Sequence, residues 1–222
     1  MTLLRLFASL KSFLLRQTHP IFESVFWKRP ILARFFRHSF SQLGQDRFVV
    51  EVFSGARALS YLEIGSNDPL SHSNTALLES AYGWTGLSIE IDGNFVDRFN
   101  SVRSNPCLEL DAVEIDYASL LPNYFDSRTI DYLSIDVEPA SVSLEALKRI
   151  LASGFQFRCI TFEHERYKEG DACKVLAHQL LSGRGYARVK ENVALAGWGE
   201  IEDWYLSTRH LELISQTRGS KL

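Results

Sequence analysis

The 222-residue chain has few cysteines, and the three present, Cys107, Cys159 and Cys173, are odd in number and lack C-x-x-C spacing. That supports neither a disulfide framework nor a zinc site, and a reducing cytoplasmic setting is expected. No phosphate-binding G-x-x-x-x-G-K-[ST] loop and no dinucleotide-type G-x-G-x-x-G string occurs. No window reaches the roughly 18 unbroken apolar residues of a membrane-spanning helix. The leucine-rich start is interrupted by Arg5, Lys11 and Arg16 with no small-residue cleavage site after it, which argues against a signal peptide. A net charge of −3 supplies no overall basic field, so nucleic acid is not the expected partner.

What is there suits a folded protein. Hydrophobic residues at 45% and aromatics at 12% argue against disorder, and the length suits one sizeable core. Charge is unevenly spread. Residues 1–40 hold seven basic side chains against Glu23 alone, a balance of +6 that leaves −9 on the remaining 182 residues. Within this arm Leu3, Phe7, Leu10 and Leu14 share one helical face, and Arg5, Ser9, Ser12 and Arg16 share another. A basic amphipathic helix of this kind lies on an anionic membrane surface, or packs on its own domain or a second subunit of a homo-oligomer. The chain is therefore divided into an N-terminal helical arm, 1–40, and a domain, 41–222.

From residue 41 short apolar runs alternate with helical patterns, the signature of an α/β protein with a largely parallel sheet. The pattern predicts a helix from Ser41 to Gly55 and strands at 59–64, 86–91, 107–113, 130–137 and 157–165. Helices are expected in the stretches ending at Gly83 and Gly154, around 94–102, and over roughly 170–183. Residues 185–197 and 203–208 read as a terminal antiparallel pair. Seven strands closed by such a pair is the count of a Rossmann-like class I methyltransferase sheet with helices on both faces.

The acids are placed with regularity. Strand tips carry Glu63 with Asp68 beyond it, Glu90 and Asp92, Asp111, Asp136 and Glu138, then Glu163, His164 and Glu165. In open α/β sheets ligands bind outside the carboxyl ends of the strands. Carboxylates gathered there repel a nucleotide triphosphate and suit a ligand that carries positive charge. S-adenosylmethionine has a sulfonium, an ammonium and two ribose hydroxyls, and no phosphate. A loop that cradles no phosphate needs no repeated glycines, and Gly65 alone can serve close backbone approach. Glu90, about 25 residues further on, stands where an acid grips ribose hydroxyls, a position that NAD enzymes share.

Six segments also carry a resemblance: SQLGQDRFV, YLEIGSNDPLSHSNTALLE, GWTGLSIEID, IDYLSIDVEPAS, ITFEHE and GYARVKENVALAGWGEIEDWYLS, in this order over about 41–207. Together they are similar to the FkbM-type family of S-adenosylmethionine-dependent methyltransferases. The resemblance implies a Rossmann-like fold and O-methylation of a hydroxyl on a sugar or other small-molecule acceptor. It implies a cofactor set of Glu63, Gly65, Ser66, Asn67, Asp68, Glu90, Ile91, Asp111 and Ala112. Two departures stand out, since Pro69 and Pro139 occupy places where the family commonly has glycine.

Methyl transfer to oxygen is an in-line displacement, so a protein must align the acceptor and accept one proton. The candidates for the base are Asp136, Glu138, Glu163, His164 and His72, of which Asp136, Glu138 and His164 form the expected catalytic set. A divalent ion held by these groups is a weaker alternative, without a tight ligand motif. Trp84 is expected in the core and Trp198 in a loop near the pocket mouth. Two rival readings share the fold: a non-catalytic binding module at a membrane surface, and an NAD-dependent oxidoreductase.

Overall fold

A computed structural model describes residues 39–219 except Ala196 and Trp198. The amphipathic arm and the expected place of Trp198 thus lie outside the described residues. Among those residues no helix is long and apolar enough to cross a membrane.

Seven strands form one sheet: β1 (Ser60–Ile64), β2 (Thr85–Glu90), β3 (Cys107–Glu109), β4 (Thr129–Ile135), β5 (Gln156–Glu163), β6 (Tyr186–Leu195) and β7 (Gly199–Ser207). Their order is β3-β2-β1-β4-β5-β7-β6. The first five run parallel, and β7 is antiparallel to both of its neighbours. The chain direction across the sheet reverses between β1 and β4, which opens a crevice at their carboxyl ends.

Helices cover both faces. Leu62 and Ile64 of β1, Leu133 and Ile135 of β4 and Phe162 of β5 pack against Leu144, Leu147 and Ile150 of α5 (Ala140–Ala152) and Ala177 and Leu181 of α7 (Ala172–Ser182). On the other face Tyr61, Tyr132, Cys159 and Leu206 meet Val49 of α1 (Gln45–Val52), Leu78 of α2 (Ala76–Tyr82) and Trp84. Each fully buried large apolar side chain contributes about 1.5–3 kcal/mol, so the two-sided core accounts for the near-continuous apolar strands. Trp84 is core, as expected.

Several elements differ from expectation. Helix α1 begins at Gln45, and Ser41 does not cap it; Ser39, Phe40 and Ser41 instead donate to the buried Asp46 carboxylate, which folds that segment back on the helix. Strand β3 stops at Glu109 because Asp111 accepts from the Val113 amide and starts a turn. The helices α4 (Tyr117–Leu120), α6 (Arg166–Glu169) and α8 (Thr208–Gly219) were not anticipated, and α3 (Gly93–Val102) was.

Candidate cofactor and acceptor site

Strand β1 ends against β4, and the geometry there admits only one residue type. Gly65 has φ of +79°, and a Cβ on it would stand 1.9 Å from the Asp136 carbonyl oxygen. Its amide and that of Ser66 donate to the Ile89 carbonyl, and the Asp136 amide donates to the Ile64 carbonyl at 3.0 Å. The tips of β1, β2 and β4 are thereby laced together around one turn.

Behind this turn sits Arg103, buried and donating to Glu79 (2.8 Å), the Thr75 hydroxyl (3.0 Å), the Ser73 hydroxyl (3.2 Å) and the Pro69 carbonyl (3.0 Å). It fixes the 66–75 loop and uses the carbonyl of Pro69 directly. Nothing in the sequence singled out Arg103, which is an arginine at a helix end until the fold brings four acceptors of the 69–79 stretch to it.

The loop and strand tips enclose a cavity of about 890 Å³, within the usual range for ligand pockets. All nine expected cofactor residues line it: Glu63, Gly65, Ser66, Asn67, Asp68, Glu90, Ile91, Asp111 and Ala112. Their roles divide. Ile91, 64% exposed, and Leu110 form with Phe95, Ala112 and Val113 an apolar slot at one end. Glu90 stands beside it, its Oε1 accepting from the Ile91 and Asp92 amides and its Oε2 from the Asn67 amide. A carboxylate oxygen accepts two hydrogen bonds, so Oε2 keeps one open place facing the cavity.

Other expected contacts are spent within the protein. Asp68 accepts from the Leu70 and Ser71 amides and pairs with Arg98 at 2.6 Å, so it shapes the loop. The Ser66 hydroxyl meets the Cys107 sulfur at 3.4 Å, and the Asp111 carboxylate caps its own turn.

The other end of the cavity is acidic and deep. Glu63 accepts from the Thr75 and Ser88 hydroxyls, and burial pushes its carboxyl up to about 7. Burial also raises Glu163 far above the usual carboxylate range, aided by a hydrogen bond with Asp136 and by the charges of Asp136 and Glu202. Glu202, paired across the sheet with Glu163, is pushed up by burial to about 8 despite a 2.6 Å bond from the Trp204 indole and one from Gln45. Glu163 therefore keeps its proton beside the Asp136 carboxyl. Asn74 donates to the Ser134 hydroxyl, while its Oδ1 is buried without a hydrogen-bond partner among the described residues. Seven carboxylates and His72 line the cavity, and no lysine or arginine does.

The three expected catalytic residues do not stay together. Asp136 lines the cavity half-buried beside Glu163. Glu138 lines its rim, exposed and paired with Lys168 at 3.0 Å. His164 is a correction. It is fully buried and absent from the cavity wall, its Nδ1 accepting from the Arg166 amide and its Nε2 3.4 Å from Asp203. Period-two alternation along β5 explains this, because His164 follows Phe162 to the α5 face while Glu163 takes the opposite one. Burial raises the Asp203 carboxyl, but the His164 ring 3.4 Å away and bonds from the Asn192 amide and Arg188 outweigh it and hold the group at about 2. Among the described residues no cluster of three His, Cys, Asp or Glu side chains is placed to hold a metal ion.

Comparisons with known proteins bear on the fold. No family model matches the sequence, and no curated protein does. Solved structures do match in shape. An O-methyltransferase from Bacillus cereus in complex with SAH is 13% identical over 83% of this chain and 90% of that one, with a TM-score of 0.55. The METTL16 methyltransferase domain is 13% identical over 82% and 81%, at 0.56. An rRNA methylase from Streptococcus thermophilus is 10% identical over 73% and 93%, at 0.51. The architecture is that of the Rossmann-like methyltransferases, and at these identities the likeness concerns the fold.

Proposed function

We propose that the protein is an S-adenosylmethionine-dependent methyltransferase that methylates a hydroxyl of a small molecule, such as a sugar. The observation that carries the reading is the polarity of one cavity: an apolar slot, then the Glu90 carboxylate, then an acidic floor without a cation. That sequence of surfaces fits a purine, a ribose diol and a cationic tail in turn. Structural neighbours that include an O-methyltransferase, a methyltransferase domain and an rRNA methylase support methyl transfer, and the FkbM-type motifs favour oxygen as the acceptor. Seven carboxylates with no lysine or arginine in the wall oppose a phosphodiester acceptor and favour an uncharged one.

The residues present fit the cofactor. Glu90 would accept from the ribose through its open Oε2 place, Ile91, Leu110 and Ala112 would flank the base, and Glu63, Asp136 and the Asn74 carbonyl would face the ammonium. Bound there, S-adenosylmethionine would supply a methyl group on sulfonium, for displacement by the acceptor oxygen. The chain's own task is to orient the hydroxyl and take its proton. Asp136 would take this proton as a carboxylate, while the neighbouring Glu163 keeps its own, so the acceptor oxygen loses its proton to Asp136 as it gains the methyl. Such base assistance contributes about 10²–10⁴-fold. His164 is assigned no part in it.

Calorimetry with S-adenosylhomocysteine, followed by transfer of labelled methyl to a panel of sugars and polyols, tests the reading. Binding of the nucleoside with protection against thermal unfolding is expected. Protection by NADH in place of S-adenosylhomocysteine would overturn it in favour of the oxidoreductase.

A further inference from the structure

The opposite edge of the sheet carries a second cavity, of about 600 Å³, where β4 and β5 begin and β7 ends. Strand β4 is seven residues long, so the two cavities stand about 20 Å apart. Their chemistry is reversed. The wall here includes Arg158, Arg184, Arg209 and His210 and contains no acid, whereas its floor is the buried apolar group Leu151, Phe155 and Phe157.

Little in the described protein balances these cations. Arg158 is balanced by Asp131, whose Oδ1 it meets at 3.0 Å, while the other oxygen of that carboxylate accepts from the Ser60 amide and hydroxyl. Arg184 and Arg209 are exposed and have no carboxylate partner among the described residues. His210 stacks on Phe53 with centroids 4.9 Å apart, and both its ring nitrogens are buried without a hydrogen-bond partner among the described residues. Burial and the Arg158 charge hold its pKa below the ordinary value, so the ring is neutral and able to donate one N–H. Arg184 and Arg209, beside Arg158 with its one carboxylate partner, leave the concavity electropositive in a domain that carries excess negative charge, which favours an anion there.

We propose that this cavity binds a small phosphorylated organic molecule, its phosphate held by Arg158, Arg184 and Arg209 and its apolar body against Leu213, which is 51% exposed in the wall. A phosphomonoester fits better than a carboxylate because three forked donors present more N–H groups than two oxygens can accept. The concave apolar floor favours a compact ligand over an extended nucleic-acid strand, which would track an open groove. This inference does not rest on the methyltransferase reading.

The test uses the full chain and phenyl phosphate as the probe, with phenol as the neutral control. Phenyl phosphate is expected to raise the melting temperature and to titrate by calorimetry, and phenol is expected to do neither. In the Arg184→Ala/Arg209→Ala double variant, which changes only exposed side chains, its affinity is expected to fall by about tenfold or more. Failure of phenyl phosphate to bind at millimolar concentration, or binding that survives the double substitution, overturns the proposal. So does phenol binding as well as the phosphate ester.

Discussion

Replacing Gly65 by alanine tests the lacing of β1 to β4 most directly. The added methyl would begin 1.9 Å from the Asp136 carbonyl oxygen, and ordinary contact starts at about 3.4 Å, so the two tips must part by about 1.5 Å. That separation opens the 3.0 Å bond from the Asp136 amide to Ile64 and shifts the Asp136 side chain off the cavity floor. Two penalties add. A left-handed conformation costs an alanine about 1–2 kcal/mol, and forcing atoms into a packed site costs about 1–3 kcal/mol. For a domain of this size, at about 2–4 °C per kcal/mol, the melting temperature should fall by roughly 5–15 °C. Gly154→Ala is the control, since that glycine has φ of +83° but nothing within 4 Å of its would-be Cβ. It should show the conformational penalty alone and leave S-adenosylhomocysteine binding intact. If Gly65→Ala melts within about 2 °C of the control and binds the nucleoside like wild type, the close-approach argument is wrong.

Glu90→Gln keeps the size of the side chain and removes its charge, and calorimetry should show S-adenosylhomocysteine affinity weakened by about 1–3 kcal/mol. Glu63 and Glu202 bind protons more tightly folded, at about 7 and about 8, than the ordinary 4.5. The stability linked to them is therefore full below about pH 4.5 and lost as the pH rises through 7 and 8; melting temperatures from about pH 5 to pH 9 should fall more steeply for wild type than for Glu202→Gln, and equal slopes would refute the assignment. His164→Asn should lower the melting temperature by loosening Asp203 while leaving S-adenosylhomocysteine affinity unchanged, and a lost affinity with an unchanged melt would return His164 to the site.

The strand tips were legible because apolar runs ending in an acid depend only on local alternation and on the crevice rule for open sheets. That is why Glu63, Glu90, Asp111 and Asp136 all reach the cavity. Which face His164 takes is legible too, in the alternation Ile160, Phe162, His164. Arg103, Asn74 and the Gln45–Glu202 contact were not legible, since each joins segments far apart in sequence, by bonds that burial makes necessary. The start of β7 supplies Glu202, and no strand-tip rule points to it, because β7 runs against its neighbours and brings its amino end to the cavity edge.

That reversed strand also governs the order in which the protein can be assembled. Strands β1 to β5 are neighbours in a parallel unit that can form as the chain is made, but β5 and β6 share no ladder and meet only where the Tyr186 hydroxyl accepts from the Phe157 amide. Each waits for residues 199–207 to enter between them. Until then a nascent chain carries β5 as an open edge, with Glu163 uncovered and β6 without a register. A ribosome that pauses before β7 therefore holds a species whose exposed strand can capture another chain. Chaperone demand, and sensitivity to slow translation, should concentrate in that late interval.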